Sequence, residues 1–164
     1  MTMTQTNVTT QVFRVFIKAS AQQVWDAITD PEWNGRYAYR ARSEYDLRPG
    51  GEYRVPATDE MRSYGLTADN LIDGEVLEVD PPRRLVQTWH AHFTDETTAE
   101  AVTTLTWDLD ETDGMTRLTV THDLEGAPTS VPFVTGEDVA AGGGWPWILS
   151  DLKTLLETGR AIAG

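Results

Sequence analysis

The C-terminal segment constrains the fold more than any other part of this sequence. From Trp145, apolar residues recur at i, i+4, i+7 and i+11, and two more widen the same stripe. This is the period of an amphipathic helix that buries one face. The stripe consists of Trp145, Ile148, Leu149, Leu152, Leu155 and Leu156.

The ends of this helix are also marked. Pro146 falls in the first turn, where no intrahelical hydrogen bond is lost, and Gly159 is a C-terminal stop signal. The charged residues Asp151, Lys153 and Glu157 are predicted to lie opposite the apolar stripe. Because the rest of the chain is mostly strand-like, the helix needs a sheet against which to bury its stripe.

Composition limits the class of protein. The 164 residues suit one domain, which we place at residues 11–160 after a flexible lead at residues 1–10. The net charge of −13 argues against nucleic acid and anionic membranes as partners. No stretch resembles a signal peptide or a membrane span, so we predict a cytoplasmic protein. The sequence leaves open whether the chain forms a homodimer.

The remaining pattern predicts an α+β fold. Two short helices follow the first strand, with Ser20 and Asp30 as their N-caps. We expect a curved antiparallel sheet of about six or seven strands wrapped on the long C-terminal helix. We expect an irregular stretch at residues 56–67, a turn at residues 94–100 and a long loop at residues 126–144. The predicted strands are Val12–Lys18, Arg42–Leu47, Glu52–Val55, Leu71–Val79, Arg84–Phe93, Val102–Leu109 and Arg117–Leu124.

Four motifs in this order resemble the helix-grip superfamily known as SRPBCC or START-like. The segment 73–89, DGEVLEVDPPRRLVQTW, resembles its central signature, and segments 21–28, 116–122 and 144–153 fit the same pattern. The resemblance is closest to the C-terminal domain of the activator of heat shock protein 90 ATPase homologue. It implies a ligand cavity between the sheet and the C-terminal helix, with no cofactor.

Three functions are compatible with such a cavity. We favour a binding protein for an apolar or aromatic small molecule, because large apolar pockets are lined by aromatic residues and few polar anchors. A polyketide cyclase or dehydratase is the alternative, and a co-chaperone-like interaction module is the second alternative. The eukaryotic co-chaperone carries a further N-terminal domain, which this sequence does not show, so we do not expect ATPase activation.

The candidate site combines aromatic residues with a few polar ones. His122 alternates with Val120 and Leu124 and is expected to face the cavity, where it is the candidate catalytic residue of a cyclase. A histidine hydrogen-bonded within the core is the other interpretation of the same pattern. Tyr53 and Val55 are preferred to Arg54 as the inward pair of their strand. The predicted ligand-binding residues are Trp33, Tyr37, Tyr53, Gln87, Trp89, Trp107, His122, Trp145 and Leu149.

One further pair of residues has the spacing of a metal site. His90 and His92 have the H-x-H spacing that can chelate a cation from one face of a strand. With Trp89 inward, both are expected to point outward, away from His122. The only candidates for a third ligand are Asp95 and Glu96 in the following turn, so the sequence predicts no metal site.

Overall fold

The fold comes from a computed structural model that describes residues 9–138 and 142–162. Strands and short helices alternate up to a long final helix. The elements are β1 (Thr10–Ile17), α1 (Ala21–Thr29), α2 (Pro31–Asn34), β2 (Glu44–Tyr45), β3 (Glu52–Pro56), α3 (Asp59–Ser63), β4 (Asn70–Asp80), β5 (Arg84–Ala91), α4 (Asp95–Ala99), β6 (Thr103–Thr112), β7 (Met115–Asp123), α5 (Val131–Thr135) and α6 (Gly144–Thr158).

The strands form one antiparallel sheet, in the order β1-β7-β6-β5-β4-β3-β2. From β2 to β7, each strand pairs with the strand that follows it in the sequence, whereas β1 pairs with β7. The sheet curves, and its inner face packs against α1 and α6 around one apolar core. This arrangement confirms the predicted α+β, helix-grip architecture. No helix among the described residues is long and apolar enough to cross a bilayer.

The predicted helix caps are present. The Ser20 side chain accepts from the Gln23 backbone, and the Gln23 side chain accepts from the Ser20 backbone, which completes a capping box. Asp30 accepts from Glu32 N, with Pro31 in the first turn of α2. Since each cap satisfies backbone donors that the helix leaves unpaired, both helices begin where the sequence places them.

The terminal helix α6 carries its stripe toward the sheet. Trp145, Leu149, Leu152 and Leu155 are buried, and Gly159 ends the helix in the left-handed conformation with φ 83°. The prediction for Asp151 is wrong, because its side chain is fully buried rather than opposite the stripe. Its carboxylate accepts from the backbone nitrogens of Ala38 and Ile162.

Several boundaries differ from the sequence-based prediction. Short helices α3, α4 and α5 replace parts of the irregular stretch, the turn and the long loop. Thr58 and Thr94 cap α3 and α4 by accepting from the backbone nitrogens of Met61 and Thr97. The strand predicted from Arg42 to Leu47 shortens to two residues. Of the predicted lead, residues 1–8 lie outside the described residues, and Thr10 already belongs to β1.

Candidate functional site

A cavity lies between the inner face of the sheet and helices α5 and α6. Its volume is about 290 Å³. Strands β3 to β6 and residues 37–45 form its walls. Aromatic rings dominate the surface. The aromatic lining residues are Tyr37, Tyr39, Tyr45, Tyr53, Trp89, Phe93, Trp107, Phe133 and Trp145.

Strand alternation determines which side chains reach this cavity. In β3, Tyr53 and Val55 are buried and line it, whereas Glu52 and Arg54 face outward. In β5, Gln87 and Trp89 turn inward by the same rule. The preference for Tyr53 and Val55 as the inward pair therefore agrees with the side chains' positions.

Gln87 organises the polar part of the wall from behind. Its Oε1 accepts from the Tyr45 hydroxyl at 2.7 Å and from Trp107 Nε1 at 3.0 Å. The rings of Tyr45 and Tyr53 lie 4.7 Å apart. Burial, above all other causes, raises the pKa of Tyr37, Tyr45 and Tyr53 far above the ordinary value, so these phenols stay protonated near neutral pH.

His122 is fully buried, and both of its ring nitrogens are engaged. Trp145 Nε1 donates to Nδ1 at 3.1 Å. The proton of the neutral ring therefore lies on Nε2, which donates to Thr103 Oγ1 at 2.9 Å, and that hydroxyl donates to the Trp89 carbonyl at 2.8 Å. Burial lowers the pKa of His122 from 6.5 to about 3, so the ring is neutral.

The expectation that His122 faces the cavity is therefore wrong. It lies behind Trp89, with ring centroids 4.7 Å apart, and it does not line the cavity. An imidazole whose nitrogens are both bonded within the core cannot exchange a proton with a bound substrate without breaking those bonds. The core interpretation of this histidine fits the structure better than the catalytic one.

The predicted site residues divide into two groups. Five of them line the cavity: Tyr37, Tyr53, Trp89, Trp107 and Trp145. Four do not: Trp33, Gln87, His122 and Leu149.

The four residues outside the lining have other contacts. The Arg36 guanidinium lies over the Trp33 ring, with its Cζ atom 4.6 Å from the ring centroid. Leu149 is packed in the core beneath α6. The structure thus separates residues that face the cavity from residues that support its wall.

Sequence reasoning missed several lining residues. Tyr45 lies within a predicted strand, Phe93 is the last residue of another, and Phe133 lies in the predicted long loop. Ile148 was assigned to the helix stripe but not to the site. An aromatic residue at the end of a predicted strand is the signal available for Phe93. Nothing in the sequence pattern singles out Phe133, because α5 was not predicted.

Electrostatically, the described wall of the cavity is neutral. It contains no Asp, Glu, His, Lys or Arg side chain among the described lining residues. Within the described part of the chain, every buried side-chain nitrogen and oxygen has a hydrogen-bond partner. The wall can therefore enclose an apolar molecule without leaving a buried polar group unpaired, and it offers no cluster of metal ligands. The one metal-competent cluster in the described residues lies outside the cavity.

Comparison with known proteins identifies the family of this chain. Residues 18–157 match the family described as activator of Hsp90 ATPase homolog 1-like protein, and the chain belongs to this family. A comparison with curated protein sequences gives no match.

Solved structures share the fold at low sequence identity. CalU16 from Micromonospora echinospora is 22% identical, with TM-score 0.65 over 94% of this chain and 69% of that chain. DynU16, from the dynemicin biosynthetic locus, is 23% identical with TM-score 0.65 over 93% of this chain and 49% of that chain. The Aha1 dimer of Colwellia psychrerythraea is 16% identical with TM-score 0.65, over 93% and 98% of the two chains. All three support the helix-grip fold.

Proposed function

We propose that this member of the activator of Hsp90 ATPase homolog 1-like family binds an apolar or aromatic small molecule in the cavity between its sheet and α6. The observation that carries the proposal is the aromatic cavity of about 290 Å³. Small-molecule sites usually enclose about 300–1,000 Å³ and are lined mainly by apolar and aromatic side chains. The volume suits one compact ligand.

The chemistry of the wall indicates what holds the ligand. Trp107 and Trp145 meet edge to face, with ring centroids 5.2 Å apart, and offer flat apolar surface to an aromatic ring system. A ligand of the size of an aromatic side chain buries about 150–250 Å². At about 25 cal/mol per Å², this burial contributes roughly 4–6 kcal/mol. Tyr37 and Tyr45 donate their hydroxyl protons to the Ala27 carbonyl and to Gln87 Oε1, so their oxygens can orient a ligand only as acceptors.

Binding is favoured over the cyclase alternative by the absence of a suitable proton donor or acceptor in the described wall. General acid–base catalysis near neutral pH needs a group whose pKa lies near that pH. The described lining residues contain no carboxylate or imidazole, and the pKa values of Tyr37 and Tyr53 are raised away from neutrality. His122 is held behind the wall by Trp145 and Thr103.

The interaction-module alternative needs an exposed apolar patch outside the cavity. On the described surface, Val12 and Phe16 are about half exposed on β1, but Arg14 lies between them on the same face. The other exposed large apolar side chains are spread over separate elements. This distribution gives the interaction module less support than the cavity gives ligand binding. The sequence leaves homodimer formation open, and the Colwellia structure in the comparison is a dimer.

A fluorescence titration tests the proposal. Trp89, Trp107 and Trp145 line the cavity, so a ligand there should change their emission. The protein is titrated with a panel of aromatic polyketides, fatty acids and steroids, and each bound compound is then recovered and analysed. We expect saturable binding of at least one aromatic compound at one molecule per chain, recovered unchanged. A cyclised or dehydrated product would make the protein an enzyme.

A matched pair of variants shows where the compound binds. Val55→Phe adds a ring inside the cavity, whereas Val12→Phe makes the same change on the outer face of β1, where Val12 is 53% exposed. We expect Val55→Phe to weaken binding by at least about 10-fold, which corresponds to 1.4 kcal/mol. Val12→Phe should not change it. Equal affinities in both variants would contradict a cavity site.

A further inference from the structure

A second constellation lies on the outer face of the sheet, away from the cavity. His90 and His92 point outward from the end of β5, as their alternation with Trp89 predicts. A third side chain, the carboxylate of Asp73 on β4, joins them, because Asp73 lies directly opposite His90 in the antiparallel ladder. The expectation that only Asp95 or Glu96 could complete the set is wrong, because strand pairing, not sequence distance, brings Asp73 to the histidines.

The ligand atoms of the three side chains are grouped closely. One ligand atom from each of Asp73, His90 and His92 lies within 4.8 Å of the other two. His92 Nε2 and Asp73 Oδ2 are 3.1 Å apart, and the two imidazole centroids are 4.5 Å apart. Around a zinc ion with bonds of about 2.0–2.2 Å, neighbouring ligand atoms are separated by about 3–3.5 Å. The pair His92–Asp73 already has this spacing.

Thr98 contacts both histidines. His90 Nε2 donates to the Thr98 carbonyl at 2.9 Å, which leaves Nδ1 of the neutral ring as an acceptor. His92 Nδ1 lies 3.2 Å from Thr98 Oγ1. Histidines that bind metals commonly place their second ring nitrogen on a carbonyl or other oxygen of this kind. Thr98 belongs to α4, so this helix fixes the orientation of both rings.

We propose that Asp73, His90 and His92 form a binding site for one divalent transition-metal cation, with Zn²⁺ as the reference ion. Two imidazole nitrogens and one carboxylate oxygen suit Zn²⁺ and its neighbours in the first row. When the ion binds, the proton of neutral His92 moves from Nε2 to Nδ1, where it is donated to Thr98 Oγ1. The Nε2 lone pair and Asp73 Oδ2 then bind the metal in place of their mutual hydrogen bond.

The position of the site gives it a consequence for the fold. The ion would link β4 to β5 through side chains on the outer face, while Ile72 and Trp89, neighbours of Asp73 and His90, line the cavity on the inner face. A ligand that binds only the folded state stabilises it. The site therefore braces one cavity wall from outside, and its existence does not depend on the small-molecule proposal.

The three histidines of the chain allow a test on the unmodified protein. Zn²⁺ is added to the chelator-treated, tag-free full chain, and the imidazole nitrogens are followed by ¹H–¹⁵N NMR. We expect the His90 and His92 resonances to shift and saturate at one equivalent, while buried His122 stays unchanged as an internal control. An absence of saturable shifts at one equivalent, or an equal shift of His122, would overturn the proposal.

Calorimetric titration of variants tests the ligand set. Asp73→Asn, His92→Gln and Thr98→Val should each weaken Zn²⁺ binding by about 10–100-fold or more. Asp110→Asn is the matched control, because Asp110 is an exposed outer-face carboxylate paired with Arg117 and should leave the affinity unchanged. Circular dichroism establishes that each variant is folded. Affinity that survives Asp73→Asn, or that falls equally in Asp110→Asn, would exclude this three-residue site.

Discussion

Acidification should destabilise this protein through His122. In the folded chain, burial lowers the pKa of this imidazole from 6.5 to about 3, whereas the unfolded chain exposes it. Below about pH 6.5 the unfolded state therefore binds a proton that the folded state does not. The stabilisation from neutral His122 is complete above that pH and is lost progressively as the pH falls toward 3. At pH 5 the loss is about 2 kcal/mol, since each pH unit contributes about 1.36 kcal/mol.

The comparison of wild type with His122→Gln isolates this contribution. The glutamine amide does not titrate. Loss of the hydrogen bond from Trp145 Nε1 should lower the stability of the variant by about 1–3 kcal/mol at pH 7. Urea denaturation of both proteins is followed at pH 7 and pH 5. Between these pH values, wild type should lose about 2 kcal/mol more than the variant, because all other titrating groups are common to both. Parallel losses would refute the account of a neutral, desolvated His122.

Three further changes probe the packing around the cavity by equilibrium denaturation. Gln87→Leu removes the acceptor of Tyr45 and Trp107, so it should destabilise by about 2–4 kcal/mol; a loss below about 0.5 kcal/mol would mean that these donors find other partners. Asp151→Asn replaces the buried carboxylate that accepts from the Ala38 backbone nitrogen, so it should lower the free energy of unfolding by about 1–3 kcal/mol. The control Asp110→Asn changes an exposed carboxylate and should alter stability by no more than about 0.5 kcal/mol. Gly74→Ala would place a Cβ in steric overlap with the Thr88 carbonyl oxygen, so it should lower stability by about 1–3 kcal/mol. An unchanged melting curve would contradict the close approach of β4 and β5.

Local sequence patterns predict most of the fold. Capping residues Ser20 and Asp30, the alternation within β3 and β5, and the stripe of α6 each depend on neighbours within a few positions, so a sequence reading captures them. Asp151 shows where this reading fails. Its charge predicts exposure, but backbone nitrogens from Ala38 and Ile162 converge on it, and no local pattern reports such distant donors.

The site was predictable only to the level of the sheet face. Alternation identifies Gln87, Trp89 and His122 as inward, but it does not distinguish a side chain that lines the cavity from one packed behind it. Trp89 lines the cavity, whereas Gln87 and His122 lie in the supporting layer. The same limit applies to Asp73, which reaches His90 only through the register of β4 on β5. Register depends on the assembled sheet.

The most direct test of the cavity's role is a crystal structure of the protein with the tightest aromatic compound from the titration panel. We expect electron density for one molecule enclosed by Tyr53, Trp107 and Trp145, with the His122–Trp145 hydrogen bond intact. Density for the compound on the outer face of the sheet, with the cavity filled only by water, would contradict it.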